Sequence, residues 1–200
     1  MMLRVIFGYD IVMEIISSAV AFIISYYAYR AYSVTKKKSF LLLQLGFTFA
    51  GLGLLLDSML VSAAIALRVL HLTATGYTLY FIATIIAYGF ILGSYAADRL
   101  EPSEGHIASI LPLIGFGALP EGILLILAAA VTIQLGLNFF LNRSIDKFLV
   151  LIAFVFIVFG HLFFMLQAIR FAGFLIAGHV FRFLGFTSFL VFVLRVVKSS

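Results

Sequence analysis

The sequence predicts an all-α integral membrane protein: a single bundle of seven transmembrane helices with its N-terminus outside and its C-terminus in the cytoplasm. Three observations lead there. Hydrophobic residues make up 64% of the 200-residue chain and charged residues 10%, against about 25% charged in an ordinary soluble domain. A water-soluble fold has no interior large enough to hide that much apolar surface. The apolar residues fall into seven stretches, and because each crossing needs roughly 20 residues, one compact bundle accounts for the whole of 1–200. The basic residues gather at the ends of these stretches, mostly on one side, which is the pattern that orients a polytopic protein in the cell membrane.

Apolar periodicity and turn signals place the helices at 11–32, 39–66, 71–97, 105–119, 121–142, 147–167 and 173–196. The first is preceded by Asp10 and followed by Lys36, Lys37 and Lys38, the reverse of a signal peptide's polarity, so it reads as a helix that stays in the protein. Tyr26, Tyr27, Tyr29 and Tyr32 crowd its cytoplasmic end as an aromatic belt. Its stripe of Glu14, Ser18, Ala21 and Ser25 is small and partly polar. On the second helix Gly46, Ala50 and Gly53 share a stripe with Asp57. Small residues at that spacing let backbones approach closely, which directs the Asp57 carboxylate into a helix contact.

The third helix carries Thr73, Tyr77, Tyr80, Thr84, Tyr88 and Tyr95 within an arc of about 80° at 100° per residue. A hydroxyl-rich aromatic face of this length is expected to point inward, where the hydroxyls find partners. Core packing is its plain role, and Tyr77, Tyr80 and Tyr88 are the candidate lining of a cavity. The fourth segment, 105–119, is short and contains Pro112, so it fits a re-entrant segment as well as a crossing. Charge counting decides between them. With seven crossings, Arg30, Lys36, Lys37, Lys38, Arg99, Arg143, Lys147, Arg195 and Lys198 share one side, against Arg4, Arg68 and Arg170. With six crossings the two sides become equal. The asymmetric arrangement is preferred, with the basic side cytoplasmic. Glu121, beside Pro120, is expected at the outer end of the fifth helix, favoured there by the helix dipole.

Ionisable groups away from the interfaces carry the functional information, because hydrocarbon penalises them by several kcal/mol unless they are paired or hydrated. Glu14 lies 16 residues from Arg30 and His179 lies 16 from Arg195, a depth of roughly 24 Å at about 1.5 Å per residue. The same count gives about 21 Å for His161, about 20 Å for Arg182 and about 28 Å for Asp57. His179 and Arg182 are three apart and project from one face of the last helix. Glu14 and Asp57 are the carboxylates at suitable depth, and one of them is expected to face Arg182, Glu14 first. Glu14, Asp57, His179 and Arg182 therefore form the candidate ligand or charge cluster, with a structural ion pair as the plainer reading.

His161 and His179 sit at matched depth on consecutive antiparallel helices, so they are also the candidate ligands for a haem or metal ion. Helices packed at about 8–10 Å leave little space for a haem between direct neighbours, and no cofactor is expected; haem b is the alternative. His71 and His106 fall at helix ends and read as interfacial.

Several function classes are excluded. Cysteine is absent, which removes disulfides, thiolate catalysis and cysteine-ligated metal. The net charge of +5 sits at helix ends, where it meets lipid headgroups of the bilayer and not nucleic acid. The lysines are 36, 37, 38, 147 and 198, none in the middle of the last helix, so retinal chemistry is out. No GxxxxGK[ST] or GxSxG motif occurs, nor the paired HxxxH of seven-helix zinc hydrolases. The zero cysteines and five side-chain amides hint at a heat-loving source. The layout resembles the seven-helix sensory modules that precede signalling domains in prokaryotes, a likeness of architecture alone. Three classes remain: a sensor or receptor-like module first, with a haem-binding or membrane-anchor subunit of an electron-transfer complex as the alternative and a small ion or proton carrier as a further one; an enzyme is the least expected. With no effector domain attached, a sensor of this size is expected to act through another membrane or cytoplasmic protein.

Overall fold

The computed structural model describes residues 2–97, 120–141, 143–166 and 172–199. The expected segment 105–119 lies outside the described residues, as do Arg99, His106 and Arg170 and the side chains of Arg4 and Tyr95. Six α-helices are present among the described residues: α1 (Met2–Thr35), α2 (Lys38–Leu67), α3 (His71–Ala97), α4 (Pro120–Leu141), α5 (Ile145–Leu166) and α6 (Ala172–Ser199). Each contains a stretch long and apolar enough to cross a membrane, and a helix satisfies its own backbone groups there, where water cannot. The chain is therefore a multi-pass membrane protein. One boundary differs from expectation in a way that matters. Met2 to Tyr9 carry no stop signal, so α1 begins at Met2 and Asp10 lies inside the helix instead of ahead of it.

Tight turns join the first three helices. Lys36 and Arg68 take the left-handed conformation, at φ 56° and 58°, and the Arg68 N–H closes α2 by bonding the Ala64 carbonyl. In space the helices form a closed ring in chain order, with α6 returning to α1. Neighbours are antiparallel with two exceptions, α6 beside α1 and α3 beside α4. Tyr77, near the start of α3, bonds Glu121, at the start of α4, so α3 and α4 run the same way and share the end at which α1 also begins. That end is called the upper end below. The contact between α3 and α4 is the sparsest in the ring.

Lipid tails are as apolar as the side chains, so close packing and interhelical hydrogen bonds hold such a bundle together. Both are visible. Ser18 Oγ donates to the Gly51 carbonyl at 2.8 Å, and Ser25 Oγ lies 2.8 Å from Thr48 Oγ1, tying α1 to α2. Glycines bring the pairs α2–α3 and α5–α6 together: a methyl group on Gly53 would lie 2.8 Å from Ala83 Cβ, and one on Gly185 would lie 2.8 Å from the Ala153 carbonyl oxygen. The centre of the ring is aromatic in its lower half. Phe47, Phe154 and Phe189 are fully buried, with the Phe189 ring 4.8 Å from Phe47 and 5.3 Å from Phe154 in edge contact.

Gly185→Ala is expected to lower stability by about 1–3 kcal/mol, because backbone must move to admit the methyl group. Gly89→Ala, with open space around it, is expected to be neutral or stabilising by up to about 1 kcal/mol through helix propensity. Thermal unfolding of the two variants in detergent compares them, and equal melting would show that the α5–α6 contact is not close-packed.

Candidate functional site

Above the aromatic layer lies a cavity of about 450 Å³ whose walls include Asp10, Glu14, Asp57, Tyr77, Tyr80, Glu121, Phe164, His179 and Arg182. Five helices supply ionisable or hydroxyl groups to this chamber. α1 presents Asp10 and Glu14 from one face, one turn apart. α2 presents Asp57, whose Oδ1 would lie 2.7 Å from a methyl group on Gly76, so α3 could not approach here with a larger residue. α3 brings Tyr77 and Tyr80, α4 brings Glu121 and α6 brings His179 and Arg182.

Arg182 is at the centre. It is 7% exposed and permanently charged. Its Nη2 donates to the Tyr80 hydroxyl at 3.0 Å. Its guanidinium carbon lies 4.3 Å from the centroid of the Phe164 ring and 5.3 Å from that of Tyr80, within the range of cation–π attraction. The Phe164 ring reaches this position because Gly178 leaves room for it: a methyl group at Gly178 would stand 2.6 Å from a ring carbon. Among the described residues no ion pair joins Arg182 to a carboxylate, and its Nη1 has no hydrogen-bond partner. Glu14 and Asp57 line the same chamber as Arg182, but the structural ion pair, the plainer reading, is absent among the described residues. The guanidinium plane lies on a ring instead, and the acids stand on other walls of the same chamber. Glu14 and Asp57 stand on the walls that α1 and α2 give to this chamber.

Each histidine has its own acid. His179 Nε2 lies 2.6 Å from Asp10 Oδ1, closing α6 onto α1, while its Nδ1 is buried without a partner among the described residues. His161 is held at both nitrogens: Nδ1 is 2.8 Å from Glu121 Oε2 and Nε2 is 2.5 Å from the Tyr88 hydroxyl. Glu121 Oε1 in turn accepts from the Tyr77 hydroxyl at 3.3 Å. An imidazole carrying its proton on Nδ1 satisfies the whole chain, with Tyr88 donating to Nε2 and Nδ1–H donating to Glu121. Tyr88 thus lines not the chamber but a void of about 30 Å³ beneath it, together with His161 and Arg182. Such a void has room for one or two waters. The two histidines hold different partners and line different cavities. His161 has no free nitrogen for iron unless it releases Tyr88 or Glu121, and no group of metal-ligating side chains gathers among the described residues.

The structure thus brings Glu14, Asp57, His179, Arg182, Tyr77 and Tyr80 around one chamber and puts His161 and Tyr88 in the layer below. It adds Asp10, Glu121 and Phe164. Asp10 was detectable from its spacing of four residues before Glu14, once the helix is extended past it. Glu121 gave no such signal, since its partners are 40 and 44 residues away in the chain. In comparisons with known proteins, no family model matches the chain, and neither a curated protein nor a solved structure does.

Tyr80→Phe leaves a second Arg182 nitrogen buried without an acceptor and is expected to destabilise by about 1.5–3 kcal/mol. Tyr77→Phe removes one long bond from a carboxylate that His161 still holds, and is expected to cost under about 1 kcal/mol. Thermal unfolding of both variants decides, and equal losses would mean that Arg182 does not depend on Tyr80.

Proposed function

We propose that this chain is a receptor-like module of the cell membrane: a small ligand settles in the chamber, biases the packing of α1, α2 and α6, and the change passes to a protein partner at the cytoplasmic face. The observation that carries this reading is that the charged chamber ends blind. Below Arg182 the bundle is filled by the packed rings of Phe47, Phe154 and Phe189, so a ligand that enters has nowhere to go. A site that holds but does not pass its occupant suits a receptor better than a carrier, whose substrate needs an exit on the far side. The walls of the chamber come from helices joined mainly by polar contacts there, so occupancy has direct leverage on helix packing.

Orientation and crossing number complete the reading. Among the described residues Arg30, Lys36, Lys37, Lys38, Arg143, Lys147, Arg195 and Lys198 lie toward the lower end and Arg68 at the upper end. The positive-inside rule makes the lower end cytoplasmic, with the N-terminus outside and the chamber toward the outer face. The parallel run of α3 and α4 supports a seventh crossing between them, because the connecting chain has to return from one face of the membrane to the other. The haem alternative requires His161 to give up a partner it now holds.

The chain has no cysteine, so single cysteines report cleanly. Met165→Cys, on the chamber wall, is expected to react with a membrane-impermeant thiol reagent applied outside intact cells, while Lys37→Cys is expected to react only after the membrane is opened. The reverse pattern would overturn the orientation, and a Met165→Cys that reacts from neither side would remove the accessible chamber. The purified protein is expected to show no Soret absorption; a Soret band lost in His161→Gln would establish the haem reading instead.

A further inference from the structure

Charges of opposite sign stand around the chamber without meeting. On α6, Arg182 carries a fixed positive charge and an Nη1 group with no partner among the described residues, while its guanidinium otherwise meets the Tyr80 hydroxyl and the rings of Tyr80 and Phe164. On α1 and α2, Glu14 and Asp57 lie beside each other, 6% and 7% exposed, and among the described residues no cation pairs with either. The remaining acids are already taken, Asp10 by His179 and Glu121 by His161. Uncompensated charge of both signs in a buried site is expensive, and water relieves it only in part. A direct contact would satisfy both walls, yet the helices hold them apart with a space of about 450 Å³ between, inside the range of about 300–1,000 Å³ common for small-molecule sites.

We propose that the chamber binds a small zwitterion, its acid group on Arg182 and its ammonium group on the Glu14–Asp57 pair. The proposal rests on the receptor reading above and gives its ligand a chemical class. A simple cation would leave Arg182 unpaired and add positive charge beside it; a simple anion would stand against four carboxyl groups. A molecule with both groups pairs each wall with its complement, through charge-assisted hydrogen bonds that are the stronger kind. Phe164, Met165 and Leu175 add an apolar patch to the same wall, which suits a ligand whose body between or beside its charges is aliphatic. Two sources present this chemistry: a free amino acid, and the ammonium and phosphate of a phosphatidylethanolamine headgroup entering from the outer leaflet.

The test compares matched probes on the intact protein in nanodiscs of phosphatidylglycerol, a lipid without an ammonium group. Thermal unfolding is followed with leucine, with 4-methylpentanoate, which lacks the ammonium group, and with 3-methylbutylamine, which lacks the acid. Leucine is expected to raise the unfolding temperature, and each analogue is expected to need about a hundredfold higher concentration or more for the same shift, because each leaves one wall unpaired. Glu14→Gln, a near-isosteric change, and Arg182→Lys, which keeps the charge and loses the planar fork, are each expected to abolish the leucine shift. Stabilisation by phosphatidylethanolamine in the disc, lost in the same two variants and leaving no further effect of leucine, would support the site with the lipid headgroup as its source. If the amine alone matches leucine, the site is a cation site and the proposal is overturned. It is equally overturned if neither leucine nor phosphatidylethanolamine stabilises the protein. The receptor reading stands or falls separately: one-sided labelling of Met165→Cys with no zwitterion effect removes this inference alone, whereas a leucine shift with labelling from both faces removes the receptor topology and leaves the site.

Discussion

A guanidinium buried among membrane-spanning helices is the constraint around which the rest of this protein is arranged. Arginine does not give up its proton, so Arg182 must be surrounded by groups that tolerate a positive charge or the bundle does not assemble. The protein meets this demand mostly with aromatic faces and a neutral hydroxyl. Gly178 clears the space that lets Phe164 slide under the guanidinium, and the inward face of α3 sets the Tyr80 hydroxyl at hydrogen-bond distance. The acids contribute through the field across the chamber and not through contact. That leaves Arg182 stabilised but incompletely bonded, a condition in which a buried polar group is open to a further partner.

The division of the bundle into two layers follows from the same demand. Above Arg182 the helices meet through polar links, Asp10 with His179, Glu121 with His161 and Tyr77. Below it they meet through rings, small residues and the hydroxyl bond of Ser25 with Thr48. Packed rings give rigidity and exclude water, whereas hydrogen bonds to ionisable groups respond to protonation and to competing ligands. α4 illustrates the contrast: its contact with α3 is sparse, and at the upper end the Glu121 carboxylate joins it to both α3 and α5. A change in how His161 shares its proton with Glu121 and Tyr88 would bear directly on where α4 sits.

What the sequence by itself determined is the membrane-spanning helical character and the depth of each polar group. Both are one-dimensional properties: hydrophobicity marks the segments, and a fixed rise per residue converts distance from a basic helix end into depth. That is why Glu14, Asp57, His179 and Arg182 could be assigned to neighbouring depths by counting residues. Azimuth is another matter. These helices are apolar almost all the way round, so the sequence says little about which face turns inward, and nothing about which helix stands beside which. Only the tertiary structure decided that Arg182 rests on Phe164 and Tyr80 instead of meeting Glu14, that His161 belongs to Glu121 and Tyr88 while His179 belongs to Asp10, and that α6 closes the ring on α1. The hydrogen-bonded pairs among them join residues 40 to 169 positions apart, and they depend on lateral packing among helices that the order of residues along any one helix does not encode.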